Sequence, residues 1–243
     1  MTNAPRASLI ANSAAVRFEK VRFAWPRAER SCLDVPGFEI AMGERVFILG
    51  PSGSGKSTLL SLIGGVVTPG AGRVEVLGQN LASLSNRARD RFRADHIGFI
   101  FQLFNLIPYL SALDNIVLPC RFSPVRRARA GNDVMAAARR LAERLDLQPG
   151  LLARQASDLS VGQQQRVAAA RALIGRPELI IADEPTSALD ADRQRGFLEL
   201  LLEECGASDA TLLFVSHDRG LAGQFDRVLD LPTLNRASMM EHA

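Results

Sequence analysis

The chain has 243 residues, 47% of them hydrophobic and 23% charged, enough to bury a sizeable core in one large domain or two small ones. No apolar run approaches the ~18 residues that a membrane-spanning helix needs, and the opening "MTNAPRASLIANSAA" lacks the apolar stretch of a secretory signal. A formal charge of +3 argues against a dedicated nucleic-acid binder, which concentrates its basic residues on one face.

In chain order, residues 1–15 read as a short flexible leader. From 16 to 45 the hydrophobic pattern alternates, as antiparallel strands require. Val46–Leu49 is a short apolar strand that runs into the glycine-rich turn "GPSGSGKST" and then a helix, and residues 46–86 close with a strand pair around the turn "PGAGR". The stretch from about 87 to 160 is rich in Arg and Ala and helical in pattern, as in "DVMAAARRLAERLDL". Its arginine clusters at 87–93 and 126–129 read as solvated helix faces or loops. Within it, Gln102 follows the apolar strand of "IGFIFQLFNLIP". Residues 161–231 return to strand, helix, strand, so the core is expected to be a parallel, doubly wound sheet, with 232–243 left as a C-terminal tail. Cys32, Cys120 and Cys205 are far apart and form no ligand-spaced pair, which fits free thiols in a reducing compartment.

Three segments carry chemistry. Gly50, Gly55, Lys56 and Ser57 fill the G-x-x-x-x-G-K-[ST] pattern, in which glycines let backbone N–H groups wrap a polyphosphate. The lysine reaches the β and γ phosphates and the hydroxyl can ligate Mg²⁺. The chain has only two lysines, Lys20 and Lys56, among 29 Lys+Arg, so a lysine at this position stands out. "ELIIADEP" is a buried-type strand, Leu179–Ala182, ending in Asp183, suited to Mg²⁺, and Glu184, which the pleat turns the other way toward an attacking water. His217 follows the strand Thr211–Val215 and could meet the γ-phosphate and Glu184. By residue type alone His217 also reads as incidental, and Gln102 as a polar strand end.

"DLSVGQQQRVAAARALIG" is a helix with a marked start and stop. Ser160 is the N-cap with Gln163 as capping-box partner, and Gly175 and Pro177 end it. Stability alone would favour an acid in the first turn. Val161, Gly162 and glutamines stand there instead.

Together these pieces resemble the nucleotide-binding subunit of an ATP-binding cassette (ABC) transporter. The segments that carry the resemblance are the Walker A residues Gly50, Pro51, Ser52, Gly53, Ser54, Gly55, Lys56, Ser57 and Thr58, the Q-loop Gln102, the signature "LSVGQ", the Walker B "LIIADE", the D-loop "SALD" at 187–190, and the switch His217. They fall in the family's order from about residue 16 to 230. The resemblance implies an α/β P-loop NTPase (RecA-like) fold of one domain over 16–231, with an N-terminal antiparallel β subdomain and an inserted helical subdomain. It also implies ATP and Mg²⁺ as ligands and Trp25 as the adenine-stacking aromatic. Glu184, His217, Gln102 and Lys56 become catalytic, and Ser57, Gln102 and Asp183 metal-side residues.

In this family two subunits sandwich ATP head to tail, so Ser160, Gly162, Gln163 and Asp190 would face the partner's nucleotide. That accounts for a first turn without carboxylates, because an acid there would repel the phosphate. "IGFIFQLFNLIPYLSALDNIVLP" resembles the lipoprotein-release and macrolide-export (LolD/MacB-like) branch. That branch implies a homodimer on the cytoplasmic face of the plasma membrane, held to a separate FtsX-like permease, with no nucleic acid as partner. Two alternatives within the resemblance are a divisome-type ATPase that signals without transport and an ABC ATPase acting on DNA or ribosomes. Three departures stand out: Val161 in place of the usual signature glycine, "PTSALD" where the branch has "PTGNLD", and a tail without the usual strand-turn glycine.

Overall fold

The computed structural model describes residues 14–28, 30–187 and 189–239. Its strands are β1 (Ala14–Phe23), β2 (Leu33–Ala41), β3 (Arg45–Leu49), β4 (Ala71–Val76), β5 (Gln79–Asn80), β6 (Ile97–Ile100), β7 (Leu179–Asp183), β8 (Thr211–Ser216) and β9 (Arg227–Asp230). The helices are α1 (Lys56–Ile63), α2 (Asn86–His96), α3 (Ala112–Phe122), α4 (Pro124–Ala130), α5 (Val134–Arg144), α6 (Val161–Leu173), α7 (Ala191–Ala207), α8 (Leu231–Leu234) and α9 (Arg236–Met239). No helix among the described residues is long and apolar enough to cross a membrane.

The short apolar runs assemble into a parallel five-stranded sheet, in the order β6-β7-β8-β3-β9. Every residue of β8 is buried, as a central strand covered on both faces must be. Alternation divides the inner strands between two cores. Phe47, Ile180, Leu212 and Phe214 face α3, α5, α6 and α7. Val46, Ile48, Leu213 and Val215 face α1 and a second, antiparallel sheet of order β2-β1-β4-β5. Because the five strands are parallel, their carboxyl ends share one edge, where Gly50, Gln102 and His217 follow β3, β6 and β8 and Asp183 ends β7.

The expected parallel core and antiparallel subdomain are both present, with shifted edges. β1 begins at Ala14, inside the stretch read as leader; residues 1–13 lie outside the described residues. "PGAGR" does not turn a strand pair. It leads into β4, which pairs with β1, and the β4–β5 turn falls at Leu77 and Gly78 with φ of 51° and 76°. Two positive φ values suit a two-residue hairpin, and a leucine there gives no turn signal. The helical stretch 87–160 contains β6, which pairs with β7 in the parallel sheet. In the tail, residues 232–239 carry most of α8 and all of α9.

α6 lies close to β6 because Gly98 has no side chain; a Cβ there would meet the Ala172 carbonyl oxygen at 2.3 Å. Its carboxyl end is held by a buried cation. Arg126, 3% exposed on α4, donates from Nε to the Ile174 carbonyl at 2.8 Å and from Nη2 to the Ala172 carbonyl at 2.5 Å. Burial lowers its pKa to about 10, so it stays cationic at neutral pH. Arg126→Met strips these carbonyls of their donors at a cost of about 3 kcal/mol. We expect calorimetry to show Tm lowered by roughly 6–12 °C, at the usual sensitivity for a domain of this size. A shift within error would mean that the helix end does not depend on Arg126.

Candidate active site

From the buried β3 the chain turns at Gly50 and enters α1 at Lys56. Gly53 and Gly55 have φ of 83° and 95°, and a Cβ on Gly55 would lie 2.8 Å from Leu33 Cδ2. Only glycine tolerates both demands at position 55. α1 has neither a side-chain N-cap nor an acid in its first turn. Its first N–H groups and its dipole are therefore open to an anion. Lys56, 8% exposed, donates from Nζ to the Gly50 and Pro51 carbonyls at 2.8 and 2.9 Å.

The acids arrive at the end of β7, across β8 from the loop. Asp183 accepts from Ser57 Oγ at 3.2 Å. Burial, helped by the charge of Glu184, raises its pKa, while Ser57 and Lys56 oppose the shift. Glu184 is not simply the next residue along the pleat. Its φ is 45°, so the chain leaves the strand there and both acids line one cleft. Its carboxylate sits 3.5 Å from Lys56 Nζ and 3.3 Å from His217 Nδ1. A left-handed glutamate costs of order 1–3 kcal/mol and is characteristic of functional turns.

The cleft encloses about 570 Å³ and is lined by Ser52, Gly53, Gly55, Lys56, Ser57, Thr58, Gln102, Asp183, Glu184 and His217. Sequence reasoning missed one of its walls. Cys32 also lines it, with Sγ 3.4 Å from Thr58 Oγ1. Trp25 stands beside the cleft, 44% exposed; its Nε1 donates to Thr58 Oγ1 at 3.3 Å, and its ring packs edge-on against Phe23. Gly50, Pro51 and Ser54 form the loop behind the lining. Ser57 Oγ and Asp183 make an all-oxygen pair of the kind that holds Mg²⁺ together with substrate phosphates. No group of three or more His, Cys, Asp or Glu among the described residues could hold a metal.

Ser160, Gly162, Gln163 and Asp190 are not among the residues that line this cleft. The capping box is present: Gln163 N–H donates to Ser160 Oγ and Ser160 N–H to Gln163 Oε1. Nothing lies within 4 Å of where a Gly162 Cβ would be, so packing inside the chain does not require that glycine. Asp190 caps α7 through the Arg193 N–H at 3.0 Å. Ala188 of the D-loop lies outside the described residues.

Two further features had no sequence signal. Arg171 of α6 donates to the Phe104 and Asn105 carbonyls at 2.5 and 2.7 Å, both residues being left-handed, and so ties the loop after Gln102 to the signature helix. Beside it lies an apolar groove of about 730 Å³ walled by Leu60, Val66, Phe99, Phe101, Pro119 and Phe122, with Ser57 and Asp183 also lining it. Leu103, Tyr109 and Phe122 are 83%, 73% and 66% exposed.

A family model described as "ABC transporter" matches residues 33–187. The lipoprotein-releasing system ATP-binding protein LolD of Pseudomonas fluorescens is 41% identical over 195 residues, 79% of this chain and 83% of that protein. LolD of Xylella fastidiosa is 42% identical, over 79% and 78% of the two chains. Among solved structures, the dimeric ABC transporter cassette MJ0796 superposes with a TM-score of 0.79 at 36% identity, covering 88% of this chain and 93% of that one. A dimeric post-hydrolysis state of MJ0796 bound to ADP and Pi gives 0.77 at 35% identity, covering 92% and 95%. A phosphate loop, two acids and a histidine on one sheet edge, with these relatives, place the chain in the ABC transporter family.

Proposed function

We propose that this chain is the ATP-hydrolysing subunit of an ABC transporter of the lipoprotein-release type, and that two copies close head to tail on ATP to drive a separate FtsX-like permease. The observation that carries the ATPase reading is the convergence of Lys56, Glu184 and His217 at one end of the phosphate loop. It is supported by the ADP- and Pi-bound relative. The dimer reading is supported by the dimeric relatives and by an α6 N-terminus where packing within the chain leaves room for a side chain at Gly162.

Hydrolysis asks little covalent chemistry of the protein. Water attacks the γ-phosphorus in line; its oxygen–phosphorus bond forms as the bond to the bridging oxygen breaks, leaving ADP. Glu184 accepts the water's proton, with His217 and Gln102 orienting it. Lys56 leaves its carbonyl partners for the phosphates, and the α1 N–H groups hold the oxygens as charge develops. Mg²⁺, held by Ser57, Asp183 and Gln102, supplies further charge neutralisation when bound.

The permease reading is supported by the apolar groove and the exposed Leu103, Tyr109 and Phe122, which lie in or just beyond the segment that resembles the LolD/MacB-like branch. A membrane partner would hold this chain on the inner face of the plasma membrane. Pull-down of tagged protein from native membranes, with ATP present, tests it. A membrane partner with few spans and a large external domain is expected; a many-spanning permease, DNA or ribosomes would overturn the branch.

Two variants separate chemistry from closure. Glu184→Gln is expected to keep ATP binding and to cut turnover roughly 10²-fold, the scale of a lost general base; near-normal turnover would remove Glu184 from that role. Ser160→Arg is expected to abolish the ATP-dependent dimer in sedimentation while leaving ATP binding by the monomer intact. Weakened binding in the monomer would show that Ser160 acts within its own chain.

A further inference from the structure

Residues 231–239 stay on the body of the protein, and the stretch from Pro232 to Asn235 reaches the phosphate loop from behind. β9 pairs in parallel with β3, bringing Asp230 level with Leu49. Leu231 is fully buried, and Pro232 packs against Gly50, where an added Cβ would meet Pro232 Cδ at 3.4 Å. The next turn ends at Asn235, a polar side chain only 1% exposed. Its Oδ1 accepts from the Asp34 and Ala237 N–H groups at 2.9 and 3.2 Å. Its Nδ2 donates to the Cys32 carbonyl at 3.0 Å and to the Ser54 carbonyl at 3.3 Å. One amide thus joins the start of β2, the phosphate loop and the C-terminal segment, across 181 residues or more.

The bond to Ser54 has a consequence for its neighbour. The Ser54 carbonyl and the Gly55 N–H belong to one planar trans peptide and point in opposite directions. Holding the carbonyl inward on Asn235 turns the Gly55 N–H toward the cleft that Gly55 lines. Gly55 has a φ of 95°, in a region that glycine enters freely, so its own backbone torsion does little to fix this peptide. No acceptor among the described residues takes the Gly55 N–H.

We propose that Asn235 is a positioning residue for the phosphate loop, orienting the Ser54–Gly55 peptide so that the Gly55 N–H is presented to a bound phosphate. The proposal rests on the nucleotide reading of the cleft and needs neither hydrolysis nor a permease.

The test uses the full chain carrying Asn235→Leu, which is close in volume, lacks the Nδ2 donor and adds no charge that would itself repel a phosphate. Trp25, the single tryptophan, stands beside the cleft and serves as the fluorescent probe. ATP and inorganic tripolyphosphate are titrated at 20 °C, well below unfolding. Both Kd values are expected to rise about tenfold, the scale of one hydrogen bond to a charged group. KM should rise by the same factor with kcat unchanged, the pattern of lost uniform binding. A purely structural role lowers Tm and leaves both Kd values at 20 °C unaltered, and that result would overturn the proposal. So would an effect on ATP with none on tripolyphosphate, which would place the loss at the base. If Asn235→Leu does not fold, Asn235→Ser is read by the same two titrations. Should the unaltered chain bind neither probe, the nucleotide reading fails instead.

Discussion

Lys56 is a buried cation held by two backbone carbonyls, with Glu184 3.5 Å away just past the end of another strand. Isolated, such a charge would be costly to bury. It is tolerated because the loop supplies acceptors and the neighbouring strands supply a carboxylate. That arrangement requires β3, β8 and β7 to be adjacent and parallel, so that their carboxyl ends meet at one edge. The doubly wound core, the glycines at 53 and 55 and the left-handed turn at Glu184 all serve that juxtaposition. On the proposed reading, entering phosphates would take the lysine from its carbonyls and leave Glu184 facing His217.

The cleft gathers the phosphate loop, both acids and His217 from one chain, while the start of α6 lines none of it. Within one chain, α6 satisfies its own start through the capping box and turns a small, uncharged first turn outward. Its far end is gripped by Arg126 from α4, and Arg171 ties it to the loop that carries Gln102. From Val161 to Arg171 the helix spans about 15 Å. A displacement at the apolar groove, which Asn105 and Arg171 both line, would therefore reach the outward end of α6 through a rigid element. We take this as the physical basis on which a partner on the groove would adjust a nucleotide held between two chains.

How much of this was legible in the sequence depended on the kind of constraint. The phosphate loop was readable because only glycine and lysine meet its demands, and β7 and β8 because buried parallel strands are continuous apolar runs. The start of α6 was readable because capping is local. The β4–β5 turn was not, since Leu77 in a left-handed conformation gives no turn signature. Nor was the direction of Glu184, which depends on where the strand ends rather than on its pleat. Arg171 was hidden among many arginines, and its acceptors are backbone carbonyls that carry no sequence signal. Asn235 lay in a stretch read as a tail, and its partners, Cys32, Asp34 and Ser54, are far away in sequence. Arg171 and Asn235 share long-range contacts to main chain, whereas Leu77 and Glu184 were missed through local backbone conformation.

The central claim is that the outward end of α6 in one chain closes on the phosphate loop of another. The most direct measurement is chemical cross-linking between two differently tagged chains, one carrying Ser52→Cys and the other Val161→Cys. Both would carry Cys32→Ser as well, since Cys120 and Cys205 are buried and Cys32 is not fully so. With Glu184→Gln to hold ATP, a short bis-maleimide should join the two tags in the presence of ATP and Mg²⁺ and not in their absence. Cross-linking that ignores ATP, or none between the tags, would contradict the account.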